Sequence, residues 1–396
     1  MILPVAAIRR LTLHDGPGTR TTVFVKGCPL HCRWCHNPEC ISAKPQLLFH
    51  DNLCVGCGRC ERACPALRPD DPRTPLRVLA ARAKDEGLRR SSSSGGVFSL
   101  IARRTLERGG VVFGAAFDPS DGAVRHVGAE SEEGLVELRG SKYVQSEIGG
   151  TYEAALEALK AGRAVLFSGT PCQVAGLRRF LDVAAPELDR SGLLLVDTAC
   201  HAAPSPLAWR RYLRSRTGGR SRDGVAAVSF RDKASGWHVF SLSIRTKGGG
   251  SYRRSIFEDS FMRGFLKELF SRPSCHRCPA RSFRSGADVT LADYWSVAKR
   301  FPDMDDDRGT SLVLALTERG EREVAAIESQ CDVRESDLGH ATVGNPVLDR
   351  SLAPHPLRKR FFRWVRWVPF DFLVDRILRA SAVPARPSND GEREGT

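Results

Sequence analysis

No stretch of this chain stays apolar and uncharged over the roughly 18 residues that a spanning helix requires, so no membrane span is expected. The opening, Met1-Ile-Leu-Pro-Val-Ala-Ala-Ile8-Arg9-Arg10, places arginines after a short apolar patch, the reverse of a secretory signal. Acids are scarce relative to bases: 46 Asp and Glu face 60 Lys and Arg, a net charge of +14. That field favours acidic partners, such as ferredoxins, phosphorylated cofactors or anionic lipid. No nucleic-acid-binding motif accompanies the scattered arginines, so no nucleic acid partner is expected. Beyond two groups of cysteines, no internal repeat is visible.

Cysteine, by contrast, is plentiful, with thirteen in 396 residues. The length suggests about two or three domains. Without an export signal the chain is expected in a reducing cytoplasm, where CxxC spacings read as metal sites rather than disulfides. Eight cysteines fall between residues 28 and 64, as Cys28-x3-Cys32-x2-Cys35-x4-Cys40, then Cys54-x2-Cys57-x2-Cys60-x3-Cys64-Pro65. The second run is that of a ferredoxin-type 4Fe-4S site, whose short spacers let three thiolates converge on one cluster. The chain is expected to move electrons.

Residues 1–45 and 46–66 make up this cysteine-rich head, and 67–76, with three prolines, read as an extended linker. From 77 to about 350 the pattern is that of an α/β body. Val111–Phe117, Ala164–Ser168 and Leu193–Asp197 read as strands, the last two as short apolar runs that suit burial on both faces. Thr151–Lys160 reads as an amphipathic helix, and a helical run extends from Phe98 to Arg108. Residues 351–383 are basic and aromatic, and 384–396 are polar and expected to be disordered.

Cys172 and Cys200 each follow one of the short strands. If those strands are parallel, both thiols sit at the carboxyl rim of one sheet, where open α/β folds gather ligands. Cys275-x2-Cys278 adds a pair on a loop, making four donors for a 4Fe-4S cluster or a zinc ion. The alternative is that Cys172 and Cys200 are small buried hydrophobes. Ser91-Ser-Ser-Ser-Gly-Gly-Val97 reads either as a phosphate cradle ahead of a helix or as a flexible capping loop. Gly140-Ser-Lys-Tyr-Val-Gln145 offers a cation, a phenol and an amide suited to a flavin edge or a pyrophosphate.

These residues resemble a known family. Ser92-Ser-Ser-Gly-Gly-Val-Phe98, Gly140-Ser-Lys-Tyr-Val-Gln-Ser146 and Leu166-Phe-Ser-Gly-Thr-Pro-Cys-Gln-Val-Ala-Gly-Leu177 are similar to signatures of the coenzyme F-420 hydrogenase/dehydrogenase beta-subunit family. So are Asp197-Thr-Ala-Cys-His201, Phe230-Arg-Asp-Lys233, Cys275-His-Arg-Cys278 and Ala287-Asp-Val-Thr-Leu-Ala-Asp-Tyr-Trp295. The resemblance covers about residues 77–365. It implies an α/β fold in which a mixed or parallel-sheet flavin-binding body follows a small ferredoxin-like iron–sulfur head. It further implies FAD beside a cluster held by Cys172, Cys200, Cys275 and Cys278. Implied flavin contacts are Ser93, Ser94, Gly95, Gly96, Ser141, Lys142, Tyr143, Thr170 and Gln173. His201 becomes a candidate proton donor or a hydrogen-bonder behind a ligand. Electrons would come from a ferredoxin-like donor or a partner redox subunit and pass to a small organic acceptor, such as a deazaflavin. Two positions depart from the family: Ala202 follows Cys200-His201 where Gly is usual, and Ser296 follows Trp295.

The head resembles something else. His14-Asp-Gly-Pro-Gly-Thr-Arg20 and Gly27-Cys-Pro-Leu-His-Cys-Arg-Trp-Cys-His-Asn-Pro-Glu39 are similar to the start of glycyl-radical-enzyme activating proteins, which are radical SAM enzymes. That implies Cys28, Cys32 and Cys35 as ligands of a cluster open to S-adenosylmethionine. Nothing after Pro65 resembles the barrel that encloses the radical in those enzymes, so S-adenosylmethionine is the lesser expectation. The head is otherwise a fusion remnant, or Cys28, Cys32 and Cys35 combine with Cys64, while Cys54, Cys57 and Cys60 take Cys40. The chain is thus expected to be a flavin oxidoreductase with two or three 4Fe-4S clusters, a radical SAM activator, or a non-catalytic electron-transfer subunit. Arg358–Val368, which interleaves cations with aromatics, either rests on an anionic membrane surface or packs its rings on its own domain.

Overall fold

The computed structural model describes residues 5–12, 20–25, 64–65, 69–217 and 224–382. The chain divides into two compact units, 1–58 and 59–396. In the first, β1 (Val5–Thr12) and β2 (Arg20–Val25) pair antiparallel. Cys28, Cys32, Cys35, Cys40, Cys54, Cys57 and Cys60, with the ligation expected of them, lie outside the described residues, as does the tail 384–396.

The second unit holds β3 (Arg77–Ala83), β4 (Val111–Asp118), β5 (Ala123–Ala129), β6 (Ser146–Glu147), β7 (Val165–Gly169) and β8 (Leu193–Thr198). It continues with β9 (Val225–Asp232), β10 (Ser241–Thr246), β11 (Ser251–Ser255), β12 (Val289–Asp293), β13 (Ser311–Ala315) and β14 (Cys331–Glu335). Nine of these strands form one mixed sheet in the order β14-β3-β13-β12-β8-β7-β4-β5-β6. Its centre, β12-β8-β7-β4, is parallel. Antiparallel pairs flank that centre on both sides. Strands β9, β10 and β11 make a separate antiparallel sheet.

The apolar runs of the central strands have a direct cause. Val165, Phe167, Leu193 and Leu195 enter one core, with the helices Thr151–Lys160 and Pro171–Ala184. Leu166, Leu194 and Val196 enter a second core on the other face, under the helix Val97–Glu107. Side chains alternate across a strand, so a sheet covered on both faces needs apolar residues at every position. A third core is aromatic: Trp209, Tyr212, Phe230, Phe261, Phe270, Phe361 and Phe370 pack together at the small sheet.

The proline-rich stretch before β3 is extended but anchored. Arg178 and Arg179 both bind the Asp70 carboxylate, at 2.8 and 2.6 Å. Arg73 donates to the Ala287 carbonyl at 2.7 Å. It therefore does not behave as a free linker.

Candidate redox site at the carboxyl rim of the sheet

Strand β7 ends at Gly169, and the next residue, Thr170, caps the helix Pro171–Ala184. The Gln173 amide oxygen accepts from the Thr170 N–H at 3.0 Å, completing a capping box, and Pro171 occupies the first helical position. This turn sets Cys172, which is exposed, in the first helical turn, where the macrodipole favours anionic charge. The side chains of Thr170 and Gln173 are thus engaged in shaping the turn.

Strand β8 lies parallel to β7, with Gly169 level with Asp197. Cys200 follows β8 as Cys172 follows β7, so both thiols rise from one rim. Asp197, buried, accepts from the Ser285 hydroxyl at 2.6 Å and from Thr290, joining β8 to the segment around β12. Burial pushes its carboxyl up to about 6. A short 3-10 turn, Pro273–Arg277, brings Cys275 and Cys278 to the same place. The Ala203 N–H donates to Cys275 Sγ at 3.3 Å. The Arg281 guanidinium donates to the carbonyls of Cys200 and His201, tying the loop to the rim.

The electrostatics follow from this packing. Burial pushes the thiols of Cys200, Cys275 and Cys278 upward, and each is raised further by neighbouring thiols of the set, Cys172 included. Arg281 opposes the shift at Cys200 and Cys278. Four sulfur donors that repel one another as thiolates suit a polynuclear cationic centre. Among the described residues, no three His, Cys, Asp or Glu side chains converge closely enough to hold a single metal ion. The chemistry of the donor set, four thiols, fits a 4Fe-4S cluster or a zinc ion.

His201 lies against Phe265, with its Nε2 2.7 Å from Glu268 Oε1, in close contact but without hydrogen-bond alignment. Glu268 is buried, and His276 approaches its other oxygen at 4.0 Å.

The remaining expected contacts gather at a second place. The Ser141 N–H donates to Ser93 Oγ at 2.6 Å, and Ser94 Oγ donates to the Thr310 carbonyl at 2.9 Å. Gly95 and Gly96 are buried rather than open to a ligand. A Cβ on Gly95 would collide with the Ala81 carbonyl and come within 2.8 Å of the Ser311 nitrogen. Lys142 donates to the carbonyls of Glu137 and Arg139, and burial pushes its ammonium down to about 7. Burial raises the Tyr143 phenol, which Arg231 partly opposes.

Arg231, to which no sequence pattern assigns a role, organises this region. It donates to the Ser93 carbonyl and the Asp293 carboxylate, and its plane lies 3.8 Å from the Phe240 ring centre. Its Nε, buried, has no partner. Lys233 donates to the carbonyls of Arg89, Ser94 and Arg308, and burial pushes it down to about 8. Trp237 stacks on Trp295, and its indole N–H donates to Asp293 at 2.8 Å. The signal was present in Phe230-Arg-Asp-Lys233 and Asp293-Tyr-Trp295, read as signatures without a role. Ser296, the departure from the family pattern, donates to the His340 carbonyl at 3.0 Å.

At the opposite, amino end of β8, an open cavity of about 650 Å³ is lined by Arg73, Arg178, Arg190 and Arg319 among others. It contains none of the expected site residues.

Comparison with known proteins agrees with this division of the chain. The first 79-residue match is 49% identical to the benzylsuccinate synthase activating enzyme of Thauera aromatica, covering 19% of this chain and 24% of that protein. The choline trimethylamine-lyase activating enzyme of Oleidesulfovibrio alaskensis is 54% identical over 59 residues, 15% of this chain and 19% of that protein. The chain therefore spans about a quarter or less of these curated relatives. Among solved structures, the F420-reducing [NiFe] hydrogenase complex from Methanosarcina barkeri, derivatised with xenon, contains a similar chain. It is 17% identical with a TM-score of 0.48, covering 79% of this chain and 94% of that one. Residues 14–57 match a 4Fe-4S single cluster domain. Residues 78–151 match the N-terminal region, and 162–339 the C-terminal region, of the coenzyme F420 hydrogenase/dehydrogenase beta subunit. Behind its 4Fe-4S domain, the chain belongs to the coenzyme F420 hydrogenase/dehydrogenase beta-subunit family, an oxidoreductase line.

Proposed function

We propose that this protein is an iron–sulfur flavoprotein that takes electrons from a ferredoxin-like donor or a partner redox subunit. It would deliver them to a small organic acceptor, a deazaflavin or a molecule of similar redox chemistry. The observation that carries this reading is the convergence of Cys172, Cys200, Cys275 and Cys278 from three segments at one rim of the sheet. When bound, a 4Fe-4S cluster there supplies one-electron storage, and FAD converts it to hydride chemistry.

The chain's own residues have definable tasks. The Ala203 N–H, aimed at Cys275 Sγ, stabilises negative charge on sulfur, and Arg281 does so from the Cys200 side. Both would raise the potential of a centre held there. Ser93, Ser141, Lys142 and Tyr143, with the unpartnered Nε–H of Arg231, are the side assigned to FAD, whose phosphates and ring edge need such donors. Thr170 and Gln173 act on it through the turn they shape. His201, set against Glu268, is the group assigned to carry or orient a proton near the acceptor. The domain boundaries at 45, 66 and 77, and a cytoplasmic setting, belong to the same reading.

Anaerobic purification followed by iron, sulfide, zinc and flavin analysis tests it. At least about eight irons, as two or more 4Fe-4S clusters, and FAD released on denaturation are expected. Zinc in place of iron at the rim, or iron without flavin, would reject it.

A second reading has one observation in its favour, the identity of about half over the head with activating enzymes. It requires the reduced anaerobic protein to cleave S-adenosylmethionine to 5′-deoxyadenosine, with that activity lost in Cys32→Ala.

A further inference from the structure

The basic aromatic segment near the C-terminus forms the helix Arg358–Trp364, a turn, and the helix Phe370–Ala382. Phe361, Val365, Phe370, Leu373, Val374 and Ile377 face inward and are buried in the aromatic core. The acids of the second helix, half-exposed, are paired with arginines of the body. Asp371 binds Arg216 at 2.9 Å, and Asp375 binds Arg263 at 2.6 Å.

What remains outside is cationic and aromatic. Trp367 is 80% exposed, Phe372 57% and Trp364 44%. Of four exposed Phe and Trp side chains among the described residues, these are three. Lys359, Arg360, Arg363, Arg366, Arg376 and Arg379 surround them in sequence and are exposed. None of these six makes an ion pair among the described residues. Phe372, Arg376 and Arg379 recur at helical spacing, so they form a single outward stripe.

We propose that this helix pair is an interfacial anchor that docks the protein on an anionic lipid surface. Exposed indole and phenyl rings gain by entering the headgroup layer, where one end is apolar and the other wet. The arginines, with long apolar stems, remain at headgroup level and meet anionic lipid. Pairing both acids with Arg216 and Arg263 offsets the charges that such a surface would repel. Single-stranded nucleic acid also attracts Arg and Trp, but it is bound along a basic groove with stacking platforms. Here the most exposed ring sits on the turn between two helices. The geometry points to lipid.

Flotation of the full chain with vesicles tests this, using phosphatidylcholine alone or with about one third phosphatidylglycerol. The protein should float with the anionic vesicles only, and high salt should reduce the bound fraction. Trp367→Ala and Phe372→Ala should each lower partitioning by about fivefold, and Arg363→Gln with Arg366→Gln by more than tenfold, since each basic residue near the surface contributes about a fivefold factor. These exposed positions can be checked for intact folding by circular dichroism. Three results would overturn the proposal: no flotation, flotation unaffected by the aromatic substitutions, or release from vesicles by a stoichiometric single-stranded oligonucleotide.

Discussion

Arg231 and Asp293, 62 residues apart in sequence, meet in an ion pair of 2.7 Å in which the guanidinium is almost fully buried. The same carboxylate accepts the Trp237 indole N–H, so one acid holds β9, β12 and the loop between β9 and β10 together. Asp293→Ala strands the cation and one indole donor. The expected cost is about 3 kcal/mol, as for other buried pairs broken on one side. Chemical denaturation of the apoprotein measures it, and Arg231→Met in the same chain should restore a large part of the loss. A double-variant cost equal to the sum of the two single-variant costs would show that the pair is not coupled.

The four rim cysteines should act as one unit. Cys200→Ser and Cys275→Ser are each expected to remove about four irons from the anaerobic protein while leaving the head's iron in place. Cys331→Ser serves as the comparison, because that thiol lies buried in the packing of β14 and has no neighbour in the set. Iron counts unchanged in the rim variants would end the assignment.

His126 gives a pH signature with a definite sign. Its ring is buried, contacts Ser146, and bonds the Ser168 carbonyl at 3.0 Å, and burial pushes its pKa from 6.5 down to about 4. Between those values the unfolded chain binds the proton and the native one does not. Stability from this group is therefore complete above about pH 6.5 and is lost as pH falls toward 4, by up to about 3 kcal/mol. Asp197, pushed up to about 6, contributes a slope of the opposite sign, because there the native state holds the extra proton. Comparing His126→Gln with the parent cancels Asp197. The stability difference should shrink with falling pH across that window, and a constant difference would contradict the burial argument.

Gly95 separates packing from ligand binding. Its N–H donates to Ser311 Oγ at 2.9 Å, and the place of a Cβ is taken by the backbone of β3 and β13. Gly95→Ala should destabilise the flavin-free protein by about 1–3 kcal/mol, as overpacking does. A variant of parental stability that has merely lost flavin would instead assign the glycine to the cofactor.

What depends on near neighbours can be read along the chain. Unbroken apolar runs mark Ala164–Ser168 and Leu193–Asp197 as strands covered on both sides, one residue from the observed Val165–Gly169 and Leu193–Thr198, and the helix Thr151–Lys160 is legible to the residue. Their reach is local, because period and capping involve residues only a few positions apart. Contacts across long separations come from the folded arrangement. It set Cys200 beside Cys275 through the Ala203 N–H, moored the proline-rich stretch by Asp70, and paired Arg231 with Asp293. It also decided which face of the last helix stays wet, and paired Asp371 and Asp375 with Arg216 and Arg263 of other helices. Such partners are selected by the burial of whole faces against one another, and no short window of sequence encodes that.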